Sequence, residues 1–347
     1  MADLKDFILL SDLDADERRN RVTLDIPDAI SKNLNVRYIV REYQRRAFAR
    51  FIYGYENNYY SKPVQLLFQM ATGSGKTLIM AGCILYLYEK GYRNFIYFVN
   101  STNIIRKTKD NFLNKSSIKY LFNQAVQLSN KQVLIKEVEN FQGISTEDIN
   151  VHFTTMQGLH SRMNNPTENS VTYEDFENQE VVLLSDEAHH INVDTKRNAG
   201  KQLTINEFEE YDSWESTVMR IFRSNKDNIL LEFTATADLG DYATADKYKD
   251  KLVFDYSLKR FYLDKYSKEV KVLQAKLDTI SRALQAIVLS QFRLKVFADH
   301  KLLIKPVVMF KSNYVNVPKN RDENTVVSGE FKEYFLEKMR LLSVDDL

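Results

Sequence analysis

The stretch Gln65-Leu66-Leu67-Phe68-Gln69-Met70-Ala71-Thr72-Gly73-Ser74-Gly75-Lys76-Thr77 constrains this chain more than any other. A short apolar run enters a glycine-punctuated turn, and an apolar, helix-like segment at residues 78–87 leaves it. Strand, turn and helix in that order are the setting of a phosphate-binding loop. Gly73 and Gly75 allow a tight turn that aims backbone N–H groups inward, where a helix N-terminus adds partial positive charge. Lys76 can then reach the β- and γ-phosphates, and Thr77 can place a hydroxyl on Mg2+. Met70 and Ala71 stand where the strict pattern begins with glycine. The bland alternative, a glycine-rich turn before an ordinary helix, leaves the matching flanks unexplained.

The next question is where the carboxylates for such a site lie. Val181-Val182-Leu183-Leu184-Ser185 reads as a buried strand and runs into Asp186-Glu187-Ala188-His189-His190. Both acids then sit at a strand's C-terminal end, which is the binding edge of an open α/β sheet. One can hold Mg2+ while the other polarises a water. Taken alone, Asp-Glu after a strand is as often a polar turn. The two adjacent histidines invite zinc, but sequence neighbours rarely share a metal and no cysteine is near. Further apolar strands are expected at residues 94–100 and 229–233, the latter ending in Thr234-Ala235-Thr236, and residues 151–157 read as a strand leaving into a polar turn. Strands that alternate with helices, each delivering polar residues at its C-terminal end, describe a doubly wound parallel sheet. Residues 122–147 carry no readable pattern.

Around this frame lie two helical patterns. From about Val40, the positions Tyr43, Gln44, Ala47, Phe48, Phe51 and Ile52 recur at spacings of three and four, which marks one buried face. Arg41, Arg45, Arg46 and Arg50 fall largely on the other side. Gln44 is the polar member of the buried face. It is either a satisfied core amide or a reader of the N6 and N7 edge of adenine. Near the other end, Val270, Leu273, Leu277, Ile280, Leu284, Ile287, Gln291, Leu294 and Ala298 predict a long helix with a narrow stripe. Residues 305–312 look like the first strand of another sheet. Between these patterns, Arg106, Lys107, Lys109, Lys115 and Lys119 face the single acid Asp110, as a solvated helix face or a phosphate-binding patch would.

Composition limits the partners. Net charge is +1, with 48 basic and 47 acidic side chains, so a nucleic-acid site must be a local patch. The lone cysteine, Cys83, excludes an internal disulfide and suits a reducing compartment as a small buried hydrophobe. The acidic first residues do not resemble a signal peptide, and no apolar run reaches the ~18 residues of a membrane span. A cytoplasmic protein with no membrane partner is expected.

Residues 71–77, Asp186-Glu187-Ala188-His189 and Thr234-Ala235-Thr236 resemble motifs I, II and III of superfamily 2 helicases. Arg41-Glu42-Tyr43-Gln44 is similar to their adenine-reading glutamine motif, and Met70-Ala71 is ordinary in that group. The wording Phe98-Val99-Asn100-Ser101-Thr102-Asn103-Ile104-Ile105, Asp186 to Asn192 and Tyr256-Ser257-Leu258-Lys259-Arg260-Phe261-Tyr262 narrows the resemblance to the Res (translocase and nuclease) subunit of type III restriction enzymes. The resemblance implies an α/β fold with a RecA-like P-loop NTPase domain at residues 39–265, whose parallel sheet is flanked by helices. An N-terminal extension (1–38), a long connecting helix (266–304) and the beginning of a second RecA-like domain (305–347) complete the expected organisation.

It further implies ATP and Mg2+ as cofactors. Arg41, Gln44 and Thr72 to Thr77 would bind the nucleotide; Thr77 and Asp186 would hold the metal; Lys76, Asp186 and Glu187 would be catalytic. His189, Thr234 and Thr236 would couple the nucleotide state to DNA, and Asn100, Ser101, Thr102, Thr155 and Gln157 would grip its backbone. Double-stranded DNA and a DNA methyltransferase (modification) subunit are the implied partners. Two features depart from the family: no Gln-x-x-Gly-Arg-x-x-Arg pattern and no nuclease triad after a Pro-Asp pair occur in these 347 residues. The resemblance is therefore to the N-terminal motor half. A nucleotide-binding module without turnover of its own is the competing reading. A small-molecule kinase leaves Gln44 and the Thr-Ala-Thr segment unexplained.

Overall fold

The first described elements are the helices α1 (Ile8–Arg18) and α2 (Asp28–Ser31). Then come α3 (Glu42–Glu56), β1 (Val64–Met70), α4 (Lys76–Glu89), β2 (Asn94–Val99) and α5 (Thr102–Leu113). A β3–β4 hairpin (Val126–Leu128, Lys131–Val133) leads to β5 (Ile135–Glu137), β6 (Ile149–Thr155), α6 (Met156–Asn164) and α7 (Tyr173–Glu177). The order continues with β7 (Val181–Asp186), α8 (Ile205–Ser224), β8 (Ile229–Thr234), α9 (Tyr242–Tyr248), β9 (Leu252–Tyr256), α10 (Leu258–Leu263) and α11 (Thr279–Asp299). This computed structural model describes residues 7–165, 172–186, 205–267 and 277–310, with a few positions between 333 and 340.

The chain divides into two compact units, Met1–Lys268 and Glu269–Leu347. In the first, seven strands form one sheet in the order β5-β6-β2-β7-β8-β1-β9, and every pairing is parallel. Parallel strands are covered on both faces, so they read as apolar runs rather than as alternations. β7 and β8 follow this rule, with nearly every residue buried. The strands expected from sequence in this unit are all present. β5 and β9 are additions, because strands of three and five residues carry too short a pattern to stand out.

Helix α4 is apolar on all sides and buried from Leu78 to Tyr88, including Cys83, whose thiol burial pushes well above its ordinary range. It lies so close to α3 that a Cβ on Gly82 would come within 2.4 Å of the Phe48 ring. The predicted stripe of α3 is buried as a face. Arg50, however, is not on the outer side but buried at 3% exposure, where it donates to Asp14 and Glu17 of α1. Arg46 joins the same pair at 2.6 Å from Glu17. A buried guanidinium needs such partners, since an unpaired buried charge is strongly destabilising. The unreadable N-terminal segment thus supplies the acids for α3, and its Leu9, Leu13, Ile30 and Leu34 enter the main core.

In the second unit the helix begins at Thr279, later than its sequence stripe. The amide of Ser281 donates to Asp278 Oδ1 at 3.1 Å, so Asp278 acts as an N-cap and leaves Leu277 outside. Val270 and Leu273 lie outside the described residues. Residues 305–310 form no strand, since no described segment offers them a ladder partner. Among the described residues no helix is long and apolar enough to cross a membrane.

Candidate functional site: a nucleotide cleft at the sheet edge

The loop from Ala71 to Gly75 leaves β1 and enters α4 with both glycines in the left-handed region, at φ 81° for Gly73 and 90° for Gly75. Gly75 is doubly required. A Cβ there would lie 2.6 Å from Gln44 Nε2. The first N–H groups of α4, from Lys76 onward, have no partner within the helix and carry its positive dipole end.

Helix α3 braces this loop from behind. Tyr43 Oη and Gln44 Nε2 both donate to the Ser74 carbonyl, at 2.7 and 2.8 Å. The other end of the Gln44 amide accepts from the Arg41 backbone at 3.0 Å. Gln44 is thus a strut between α3 and the loop, with one N–H and one lone pair left over for a base. Arg41, at the N-cap of α3, is exposed and stacks 4.7 Å over the ring of Tyr266.

A cleft of about 720 Å³ opens in front of the loop. Thr72, Gly73, Gly75, Lys76 and Thr77 form one wall, and Asp186, Ala235 and Thr236 form another. These residues come from the ends of β1, β7 and β8, which are adjacent in the sheet. Asp186 is held by a chain of hydroxyls: Thr108 of α5 donates to Tyr97 Oη, and Tyr97 donates to Asp186 Oδ2, each at 3.2 Å. Lys76 Nζ lies 3.5 Å from the Met70 carbonyl, a contact too long to compete with a phosphate. Thr234 is buried and its hydroxyl accepts from the Thr236 amide at 3.2 Å, which fixes the turn that carries Thr236.

The donor set suits a nucleotide with its cation. Ser74 Oγ is buried with no partner among the described residues, at the heart of the loop. One carboxylate and one hydroxyl in a shared cleft match Mg2+, which keeps few protein ligands and takes the rest from substrate phosphates. Glu187 and His189 lie outside the described residues.

The expected DNA contacts gather elsewhere on the same edge. Asn100, Ser101 and Thr102 follow β2, Thr155 ends β6, and the two strands pair with Val99 opposite Thr155. Both polar atoms of the Asn100 side chain are buried and unpartnered among the described residues. Ser101 stands at the N-cap of α5 without using its side chain as a cap. Thr155 is committed: its hydroxyl accepts from Gly158 at 2.9 Å as the cap of α6. Gln157 is exposed.

Three wall residues of the cleft, Tyr38, Asn111 and Leu121, have no signal in the sequence, and a fourth, Lys119, is legible only as part of its run. Lys119 had a signal, the basic run to which it belongs, but the run could not say which of its members faces a ligand.

The family model for the type III restriction enzyme res subunit matches residues 37–239. The chain belongs to the Res-subunit family of type III restriction enzymes. That match spans the glutamine motif, the phosphate loop, the Asp186 strand and the Thr234 turn, so the resemblance in the motifs holds across the domain that carries them. Over 315 residues the chain is 32% identical to the probable type III restriction-modification enzyme HindVIP Res subunit of Haemophilus influenzae. The alignment takes in 85% of this chain and 60% of that protein. Among solved structures, the UvsW helicase of bacteriophage T4 is 17% identical, covers 63% of this chain with 60% of its own, and superposes with a TM-score of 0.34. The SWI2/SNF2 ATPase core of Sulfolobus solfataricus is 16% identical, covers 78% of this chain with 45% of its own, and gives 0.35.

Proposed function

We propose that this Res-family chain is an ATP-driven DNA translocase motor of the helicase type, with the cleft as its ATP site. The observation that carries the reading is the meeting of three distant sequence motifs around one cavity beside a helix N-terminus. Lys76 and the loop amides bind the β- and γ-phosphates, and Thr77 with Asp186 hold Mg2+. Bound Mg2+ offsets charge on the β- and γ-phosphate oxygens. Glu187 orients the attacking water and accepts its proton. Thr234, Thr236 and His189 couple the nucleotide state to the DNA-contacting loops. Asn100, Ser101, Thr102, Thr155 and Gln157 take DNA backbone, which positions a duplex without reading its sequence. A methyltransferase subunit and a restriction activity belong to this proposal, on the strength of the Haemophilus relative's name.

A second reading has one observation in its favour. No Gln-x-x-Gly-Arg-x-x-Arg pattern occurs in the sequence, and an arginine finger contributes ~10³–10⁵ in rate. On that reading the chain binds MgATP but turns it over slowly, and DNA stimulates it little. A nucleotide titration tests the shared core. Lys76→Ala should weaken MgATP binding by on the order of 10–100-fold, the loss of a charge-assisted contact. Equal affinity of both proteins would remove the cleft from nucleotide binding. Steady-state turnover with saturating duplex DNA separates the two readings: several per second supports a complete motor, and a far slower rate supports the binding module.

A further inference from the structure

Among the described residues two lysines line the cleft, and of these only Lys76 belongs to a motif. Lys119 comes from the loop after α5, yet it borders the same cavity as Thr77 and Asp186. The structure sorts the basic run in which it lies. Lys109 pairs with Glu137, and Lys115 Nζ donates to the Gln124 carbonyl at 2.7 Å. Lys119 makes no ion pair among the described residues, so nothing in the fold itself accounts for its charge at this place.

The loop that presents it is tied down on both sides. Before Lys119, Ser117 Oγ donates to Asp110 Oδ2 at 2.6 Å and takes the Lys119 amide at 3.3 Å. After it, the Leu121 amide donates to the Asn111 carbonyl at 2.9 Å. Asn35 of the N-terminal segment holds the Tyr120 and Leu121 carbonyls, at 3.0 and 2.9 Å. Such a loop fixes the root of a side chain whose tip is free, the arrangement a phosphate-binding lysine needs: a mobile point charge on an immobile base.

We propose that Lys119 is a second phosphate-binding residue of the cleft, contacting the triphosphate from the α5 side. This rests on the nucleotide reading above and adds a residue to it.

The test is a titration of wild type, Lys119→Ala, Lys119→Arg and Lys76→Ala with MgATP and, separately, with inorganic tripolyphosphate and Mg2+. Lys119→Ala should weaken both ligands by the same factor, about 5–20-fold, a partly exposed charge-assisted contact being weaker than a buried one. Lys119→Arg should recover most of that loss. Added salt should weaken binding less steeply in Lys119→Ala than in wild type. Unchanged affinity in Lys119→Ala, where wild type binds and Lys76→Ala does not, overturns this inference alone. A loss for ATP with none for tripolyphosphate also overturns it, since the contact would then be to base or ribose. If wild type binds neither ligand, the nucleotide reading falls and this inference with it.

Discussion

The C-terminal edge of the sheet carries two polar regions built on opposite principles. At the ends of β1, β7 and β8 the groups are locked before any ligand arrives: Gln44 and Tyr43 hold the Ser74 carbonyl, and Thr108 and Tyr97 hold Asp186. At the ends of β2 and β6 most are left unspent, Thr155, which caps α6, being the exception. The Asn100 amide is unpartnered among the described residues, the Ser101 hydroxyl makes no cap bond, and Gln157 is exposed. The difference matches the tasks proposed for them. Phosphoryl transfer gains from dipoles fixed in place before the reaction. A site that slides along a backbone needs polar groups that accept many registers, and it has no use for a rigid one.

The sharpest way to break this comparison is to remove the chemistry from the locked region while keeping its binding. Glu187→Gln should lower ATP turnover by ~10²–10⁴, the usual worth of a positioned base, and leave MgATP affinity within about twofold. Single-turnover hydrolysis alongside a binding titration reads both. A variant that hydrolyses at the wild-type rate takes Glu187 out of the reaction.

Next in size is the strut. Gln44→Ala strands the Ser74 carbonyl with one donor and the Arg41 amide with none, which should cost ~1–3 kcal/mol of stability and lower Tm. The preference for ATP over GTP should fall by a similar free energy, because the remaining N–H and lone pair of the amide suit adenine and mismatch guanine. Lowered Tm with an unchanged ATP-to-GTP ratio would assign Gln44 to bracing alone.

Much of this was legible from residues alone, and the failures share a cause. The glycine turn and the start of α4 at Lys76 are read correctly because a tight turn and a helix start are local events. Spacing alone puts Arg50 outward, because it gives a side chain's direction but not the acids that meet it. Those acids sit on α1, in a segment with no motif of its own. The stripe of the last helix was extended too far for a similar reason: apolar spacing continues through Leu277, but the cap at Asp278 sets the start.

On the open region the expected effects are smaller. Asn100→Ala should weaken duplex DNA binding by about 2–5-fold, one neutral hydrogen bond, equally for unrelated sequences. ATP affinity should not change, and binding should stay steeply salt-dependent. Sequence-selective binding that survives physiological salt would show the two edges to be more alike than proposed.

The smallest effect concerns Glu232, buried in β8 two residues before Thr234. Burial pushes its carboxyl above its ordinary value of 4.5, against Lys247 and the bonds from Gln65 and Tyr248. The folded chain therefore keeps this proton longer than the unfolded one. The resulting stabilisation is full below the unfolded value and is lost as pH rises through the folded value. Wild type should show this loss in Tm as pH rises above about 4.5, and Glu232→Gln should lack it. Identical pH profiles would take the locked region's floor out of the comparison.

Sequence by itself determined the phosphate loop, the strands that deliver Asp186 and Thr234, the buried face of α3 and the family, because each is written in contiguous residues. Only the tertiary structure decided that β8 lies between β7 and β1, so that Asp186 and Thr236 share a cleft with Lys76. It also decided that Arg50 is buried, that Gln44 braces the loop, and that, among the described residues, Lys119 alone of its basic run borders the cleft. A local pattern encodes backbone dihedrals and the face a side chain takes. Which faces meet depends on crossovers and long-range burial, whose partners lie too far along the chain for any spacing to record.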